Sequence, residues 1–307
     1  MKITIKSICT FLTILIIYLV ASPLCNNISP IILNARNTHR IPVPTASGRN
    51  VNRSNRAEID YSNIRRGYVM IRFTAQTEQS VRVLIRGPGD IQYQYILNTN
   101  GAWEVFPLSE GNGSYTIGVF EQINGNRFAT LNNITVDVTL INEFAPFLTP
   151  NQFVNFNQSS RVVRLANELT AGSRSVFDSV SRIYEYVITN INYDFVLATT
   201  VRSGFVPNLD RVLDDRMGIC FCFAALMTAM LRSQGIPTKL VIGYAGDVFH
   251  AWISVHSEET GWVTNVIWFD GASWNLMDPT FAANANESPE IMRFIGNGEN
   301  YNPTHFH

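Results

Sequence analysis

The chain has 307 residues, 46% of them hydrophobic and 15% charged. Those values exclude a disordered polyelectrolyte and leave room for two modest domains, each with its own core. A formal net charge of −1 excludes an overall electrostatic field suited to nucleic acid.

Residues 1–25 read as a signal peptide or an N-terminal membrane anchor. Lys2 and Lys6 precede an apolar run, residues 8–21, of h-region length. Pro23 spoils a cut after Ser22, and Leu24 is bulky for a lipobox ahead of Cys25. Continued to Leu24, the run nearly reaches bilayer-spanning length. On either reading the positive flank stays inside, so the remainder is expected outside the cytoplasm. Residues 26–57 are expected as a flexible basic tether. They are rich in Pro, Gly, Ser and Asn, with Arg36, Arg40, Arg49, Arg53 and Arg56.

Residues 58–142 change to period two. Residues 68–74, 80–86, 91–97, 114–121 and 134–141 alternate polar with β-branched or aromatic side chains, and Gly- and Asn-rich turns separate them. The pattern predicts an immunoglobulin-like β-sandwich. It contains no His, no Cys and no acidic cluster, so a binding or spacer role is expected there.

Residues 143–307 form the second expected domain. Pro146 and Pro150 mark its entry as a connector. Val176, Val180, Ile183, Tyr184, Val187 and Ile191 recur at helical spacing, with Ser173 as N-cap. A second helix spans residues 218–234 and stops at Gly235 and Pro237. It is apolar nearly all round and should be buried on every side. Strands follow at 239–245, 250–255, 262–269 and 273–278, giving an α+β arrangement.

Chemistry is expected in this half. Cys220 sits on the first turn of the buried helix, where free N–H groups and the helix dipole favour a thiolate. His250 opens a strand after the turn at Gly246 and Asp247, and imidazole is the usual base for a thiol. Asp278 ends a strand before Pro279 and can hold the imidazole tautomer. Each residue alone has a plainer reading: small buried hydrophobe, structural histidine, turn aspartate. Their order on helix, strand and strand is what points to a thiol active site. His39 falls in the tether, and His305 and His307 in the terminal tail. His256 shares the strand and face of His250 but lies about 20 Å along it.

The motifs around these residues resemble the transglutaminase-like core. They are G-I-C at 218–220, Ala224, Ala225 and Leu226, LRSQGIPTKLVIGY at 231–244, HAW at 250–252 and MDPTF at 277–281. The resemblance covers the chain from about Tyr193 onward. The upstream strands, with VFPLSEGNGSY (105–115) and FLTPNQFVNF (147–156), resemble exported bacterial proteins that carry a β domain before such a core. The resemblance implies a papain-like fold with a Cys–His–Asp triad, and no cofactor or metal. The family includes cross-linkers, peptidases, amidases and non-catalytic relatives. Such cores often carry Asp two residues after the nucleophile, where this chain has Cys222. Helical geometry turns Cys222 about 200° from Cys220, so the two cannot share a cleft. A zinc site from Cys220, Cys222 and a histidine matches no usual structural spacing. Trp252 shares the face of His250, as shield or as core. Tyr193 is a candidate second oxyanion donor.

The expected function is acyl transfer at amide bonds by an exported peptidase or amidase, on extracellular protein or cell-wall peptide. The alternatives are a protein-glutamine transglutaminase and a non-catalytic peptide-binding module. Lys occurs only at positions 2, 6 and 239. Lineage composition explains that scarcity, and so would avoidance of self-cross-linking.

Overall fold

Alternating apolar residues become strands wherever a second sheet covers their apolar side. The computed structural model describes residues 39–264, 267–269, 274–276, 280 and 300–307. Its first part has eight antiparallel strands: β1 (Val51–Arg53), β2 (Ala57–Asp60), β3 (Tyr68–Phe73), β4 (Val81–Arg86), β5 (Gln92–Leu97), β6 (Glu104–Pro107), β7 (Gly113–Asn124) and β8 (Arg127–Val138). They form two four-stranded sheets, ordered β1-β2-β3-β6 and β5-β4-β7-β8. Ile59, Val69, Ile71 and Phe73 of one sheet meet Val83, Ile85, Ile117 and Val119 of the other in a shared core. This is a β-sandwich preceding a mixed helix-and-sheet part, as the sequence pattern predicts.

The stretch expected as a tether is packed where it is described. Ile41 is buried in the core of the helical part. β1 pairs with β2 in register from Val51 to Arg53. The amide of Asn52 donates to Asn132 Oδ1 at 2.9 Å, and Arg56 pairs with Glu121 at 2.6 Å. Polar local composition hid this order because its partners lie 65 to 80 residues away. The leader and residues 26–38 lie outside the described residues.

The second part begins with α1 (Arg161–Leu169) and α2 (Val176–Asn190), followed by β9 (Asn192–Tyr193), α3 (Phe195–Thr200), α4 (Leu209–Asp215) and β10 (Met217–Gly218). Ser175, not Ser173, caps α2 by accepting the N–H of Asp178. α5 (Cys220–Ser233) follows, then β11 (Thr238–Ala245), β12 (Val248–Ser257), β13 (Gly261–Thr264), β14 (Ile267–Phe269), β15 (Trp274–Leu276) and β16 (Tyr301–Phe306). The main sheet runs β13-β12-β11-β16, antiparallel throughout. Every residue of α5 from Cys222 to Ser233 is buried. Val163 of α1, Ile183 of α2, Val212 of α4 and Ile253 of β12 share one core with it. The terminal residues are thus no loose tail. His307 exchanges main-chain hydrogen bonds with Leu240, and Tyr301 pairs with Ala245.

Arg232, near the end of α5, is fully buried. Its guanidinium donates to main-chain oxygens of Thr238 at 2.9 Å, Thr149 at 2.8 Å and His307 at 2.6 Å. Burial pulls its pKa down to about 9, so it stays charged at neutral pH. Planar donors aimed at fixed carbonyls offset part of the desolvation cost.

Replacing Arg232 by Met should remove three buried hydrogen bonds to main-chain oxygens and cost about 3 kcal/mol or more in denaturant-induced unfolding. Arg232→Lys should recover part of that loss. His307 supplies a pH-dependent counterpart. Burial, then the nearby His305 and Arg232, depress its pKa from 6.5 to about 3. A neutral imidazole is therefore favoured in the folded state. That stability is fully present above about pH 6.5 and drains away as pH falls toward 3. The loss between pH 6.5 and 3 should be smaller in His307→Phe than in wild type, read as the difference in unfolding free energy at each pH.

Candidate active site

Cys220 is the first residue of α5. Ile219 before it is extended, and its side chain offers no cap. The Ile219 oxygen accepts the N–H of both Cys222, at 2.7 Å, and Phe223, at 3.1 Å. Cys220 and Phe221 occupy the two earliest helical positions, where N–H groups have no intrahelical acceptor. Two donors and the positive end of the helix dipole thus lie beside a half-buried thiol. That arrangement can hold a developing oxyanion.

Cys222 has the opposite surroundings. It is buried, and that burial pushes its thiol pKa up to about 11, with smaller contributions from Cys220 and Asp194. A thiol in that state is inert at neutral pH. Its seat depends on Gly218. A Cβ there would stand 2.5 Å from the Cβ of Cys222, so only glycine lets β10 pass so close to the helix.

β10 is held from the other side by β9. Gly218 pairs with Tyr193 in parallel register, and the N–H of Asp194 donates to the Gly218 oxygen at 2.9 Å. The Asp194 carboxylate then caps α3 at Leu197. Tyr193 is therefore opposite a residue two positions before Cys220, across a short ladder. Its ring lies 5.0 Å from that of Phe195.

His250 is buried in β12, opposite Gly243 of β11. Its ring stacks on Trp252 at 6.1 Å and lies 6.5 Å from Tyr301. Gly243 is obligatory here too. A Cβ would come within 2.2 Å of the Asn302 oxygen and 2.8 Å of the Trp252 ring. Strand alternation places Ala251, Ile253 and Val255 in the core shared with α5. His250 and Trp252 take the other face, where Val241 and Tyr301 cluster with Trp252.

The relation between Cys220 and His250 follows from lengths. A tight turn at Gly235 reverses the chain between α5 and β11. α5 has 14 residues and spans about 21 Å, while the stretch from Thr238 to Tyr244 spans about 20 Å. The start of the helix therefore comes level with Tyr244 and the Gly243–His250 pair. The imidazole is turned to the face away from the body of α5, on the side of Val241 and Trp252. Asp278 lies outside the described residues. His256 sits at the far end of β12, its ring 4.2 Å from Phe144 and 5.3 Å from Trp262. Among the described residues no three His, Cys, Asp or Glu side chains are grouped as a metal site.

One feature of the site escapes any local reading of the sequence. Phe221, next to Cys220, has its ring 5.2 Å from Phe153 and 6.4 Å from Phe205. Phe153 in turn lies 5.2 Å from Tyr95 of β5. A line of aromatic rings thus runs from the sandwich to the first turn of α5. The only signal for it is a set of Phe residues in segments without clear periodicity.

Comparison with known proteins agrees with this architecture. Residues 163–279 match the family model described as the transglutaminase-like superfamily. YebA of Bacillus subtilis (strain 168) is 30% identical over 123 residues, which is 34% of this chain and 17% of that protein. The protein-glutamine gamma-glutamyltransferase of Pseudomonas aeruginosa (strain ATCC 15692) is 32% identical over 69 residues, 18% of this chain and 10% of that one. The matches thus span less than a fifth of either curated relative. Among solved structures, a Cytophaga hutchinsonii protein described as "a Putative Cysteine Protease" aligns at 15% identity and a TM-score of 0.40, over 84% of this chain and 73% of that one. Residues 163–279, which hold the helix of Cys220 and the strand of His250, are the part of the chain that matches the transglutaminase-like superfamily.

Proposed function

We propose that the chain is an extracytoplasmic thiol enzyme that hydrolyses amide bonds in extracellular protein or cell-wall peptide. Cys220 is the nucleophile, His250 the base and Asp278 the carboxylate that orients the imidazole. The observation that carries the reading is the contrast between two thiols two residues apart. Cys220 is half-buried at a helix start with open N–H donors, whereas Cys222 is locked in the core with a raised pKa.

The chemistry follows from those positions. In this reading the Cys220 proton passes to His250. The thiolate adds to the amide carbon, and the oxyanion is held by the N–H groups of Cys220 and Phe221. The tetrahedral adduct collapses, the C–N bond breaks, and the imidazolium returns its proton to the leaving amine. Water, deprotonated by the same imidazole, then attacks the thioester and releases the acid and the thiol.

One observation favours transamidation as a second reading. Lys239 is the only lysine after residue 6. Its ammonium lies over the rings of Trp262 at 4.0 Å, Phe306 at 4.8 Å and Phe147 at 5.0 Å. A lysine clasped by three rings is a poor acyl acceptor, so an amine-seeking thioester would find little to react with on its own chain.

Three outcomes test the proposal. Limiting iodoacetamide between pH 7 and 9 should alkylate Cys220 and spare Cys222, since the latter ionises only near pH 11; peptide mapping that finds Cys222 labelled first would remove the assignment. His250→Ala should lower turnover by roughly 10²- to 10⁴-fold, and His256→Ala should not. Peptides with glutamine and wall-type amides, offered with a labelled primary amine, should yield more free acid than amine adduct. An excess of adduct favours the transglutaminase, and no acylation beside an alkylatable Cys220 favours a binding module.

A further inference from the structure

Besides scattered exposed residues such as Val43, Ile123 and Ile141, the described residues leave two groups of large apolar side chains in water. Tyr244, Val248 and Phe249 are exposed by 42%, 61% and 64%, and all sit on the hairpin between β11 and β12. Phe195 and Val196, at the start of α3, are exposed by 69% and 73%. Met217 of β10 is exposed as well. The first group continues the sheet face that packs on α5, and the second belongs to the segment after β9 and to β10, just before α5.

The flanking is fixed by topology. Tyr244 pairs with Phe249 across the hairpin, with ring centroids 5.7 Å apart. Alternation puts both on the sheet face that carries Leu240, Ala251 and Ile253, which pack on α5. They are the continuation of that face beyond the point where the helix ends. Across the helix start, Phe195 follows Tyr193 by two residues, and Tyr193 pairs with Gly218, two residues before Cys220. Strand pairing and chain connectivity thus tie both apolar groups, as one rim, to the start of α5.

We infer that this rim is a specificity subsite for a bulky apolar side chain, aromatic or branched aliphatic, next to the amide that Cys220 attacks. The inference rests on the thiol-enzyme reading and names its substrate class. A peptide is favoured over a lipid surface by the hairpin tip. Asp247 is exposed between Ala245 and Phe249, and a membrane-inserting tip would have to carry that carboxylate into the acyl region. A peptide side chain can instead lie between Phe249 and Phe195 while Asp247 stays in water. Burying such a side chain against the rim is worth about tenfold or more in affinity.

The test separates binding from chemistry by using the full chain with Cys220→Ala. Fluorescence anisotropy should show a labelled peptide with Phe or Leu beside the target amide binding about tenfold or more tightly than its Ser counterpart. The preference should fall below about threefold in Phe249→Ser and in Phe195→Ser and return in Phe249→Leu, with circular dichroism confirming that each variant folds. With the thiol restored, the same preference should appear in KM rather than kcat. Equal binding of the Phe and Ser peptides overturns the inference. Binding to anionic lipid vesicles that survives at full strength in Phe249→Ser, without peptide preference, overturns it too. Failure of turnover with the binding preference intact would strike the enzyme reading and leave the subsite standing.

Discussion

The guanidinium of Arg232 is the constraint on which the position of the thiol depends. It is charged, fully buried and shared among three main-chain oxygens. Those oxygens belong to Thr149 in the connector after the sandwich, to Thr238 at the start of β11 and to His307 beyond β16. Three separate stretches of chain are thereby pinned to the last turn of α5. A buried ion is rarely the cheapest way to gain stability, and a shape-matched apolar side chain often does as well. What the ion adds is uniqueness. Each donor accepts only a narrow direction, so the helix can neither slide nor rotate without losing a bond that no water replaces. With the C-terminal end of a 14-residue helix fixed, its N-terminal end, about 21 Å away, is fixed to within the stiffness of the rod.

The other end has its own restraint. A Cβ at Gly218 would crowd Cys222 to 2.5 Å, so glycine leaves that side chain its seat, and β9 pairs with β10. Phe221 is then braced by Phe153, whose ring also touches Tyr95 of the sandwich and His307 of the C-terminal stretch. The sandwich, which carries no candidate catalytic group of its own, thus enters the architecture of the thiol through one line of aromatic contacts. Substitution of Phe153 would act on both cores at once, because its ring packs against each of them.

Legibility in the sequence followed the range of the interaction. Period-two alternation located β3, β4, β5, β7 and β8, since each strand declares its buried face within six residues. α5 was equally plain, because burial on every side leaves no polar stripe to break the run. β1, β2 and β16 were missed for the complementary reason. Each is short or polar and is ordered by partners far along the chain, such as Asn132 for Asn52 and Leu240 for His307. α1 was missed as well, although Val162, Val163 and Ala166 mark its buried side. At the site, the helix-start position of Cys220 and the inward turn of Cys222 were readable from helical geometry. The face of His250 was not. It depends on which side of β12 receives α5, and alternation alone leaves the two faces equivalent.

The fate of the proposed thioester turns on water. A transferase must keep water away from the acyl carbon until an amine arrives, which requires walls that close over the thiol. The residues of the proposed rim, Tyr244, Phe249, Phe195 and Val196, are exposed to solvent. An exposed rim of that kind binds the flank of a long substrate and leaves the reacting atoms within reach of water once the leaving group has gone. The aromatic clasp on Lys239 pulls the other way, since a chain without an available amine suits an enzyme that hunts for amines. Yet the clasp has a structural reason independent of chemistry. Phe147, Trp262 and Phe306 come from the connector, β13 and β16, and the ammonium ties all three to β11. Because the rim has no such second explanation, it carries more weight, and hydrolysis is the reading that the exposed geometry favours.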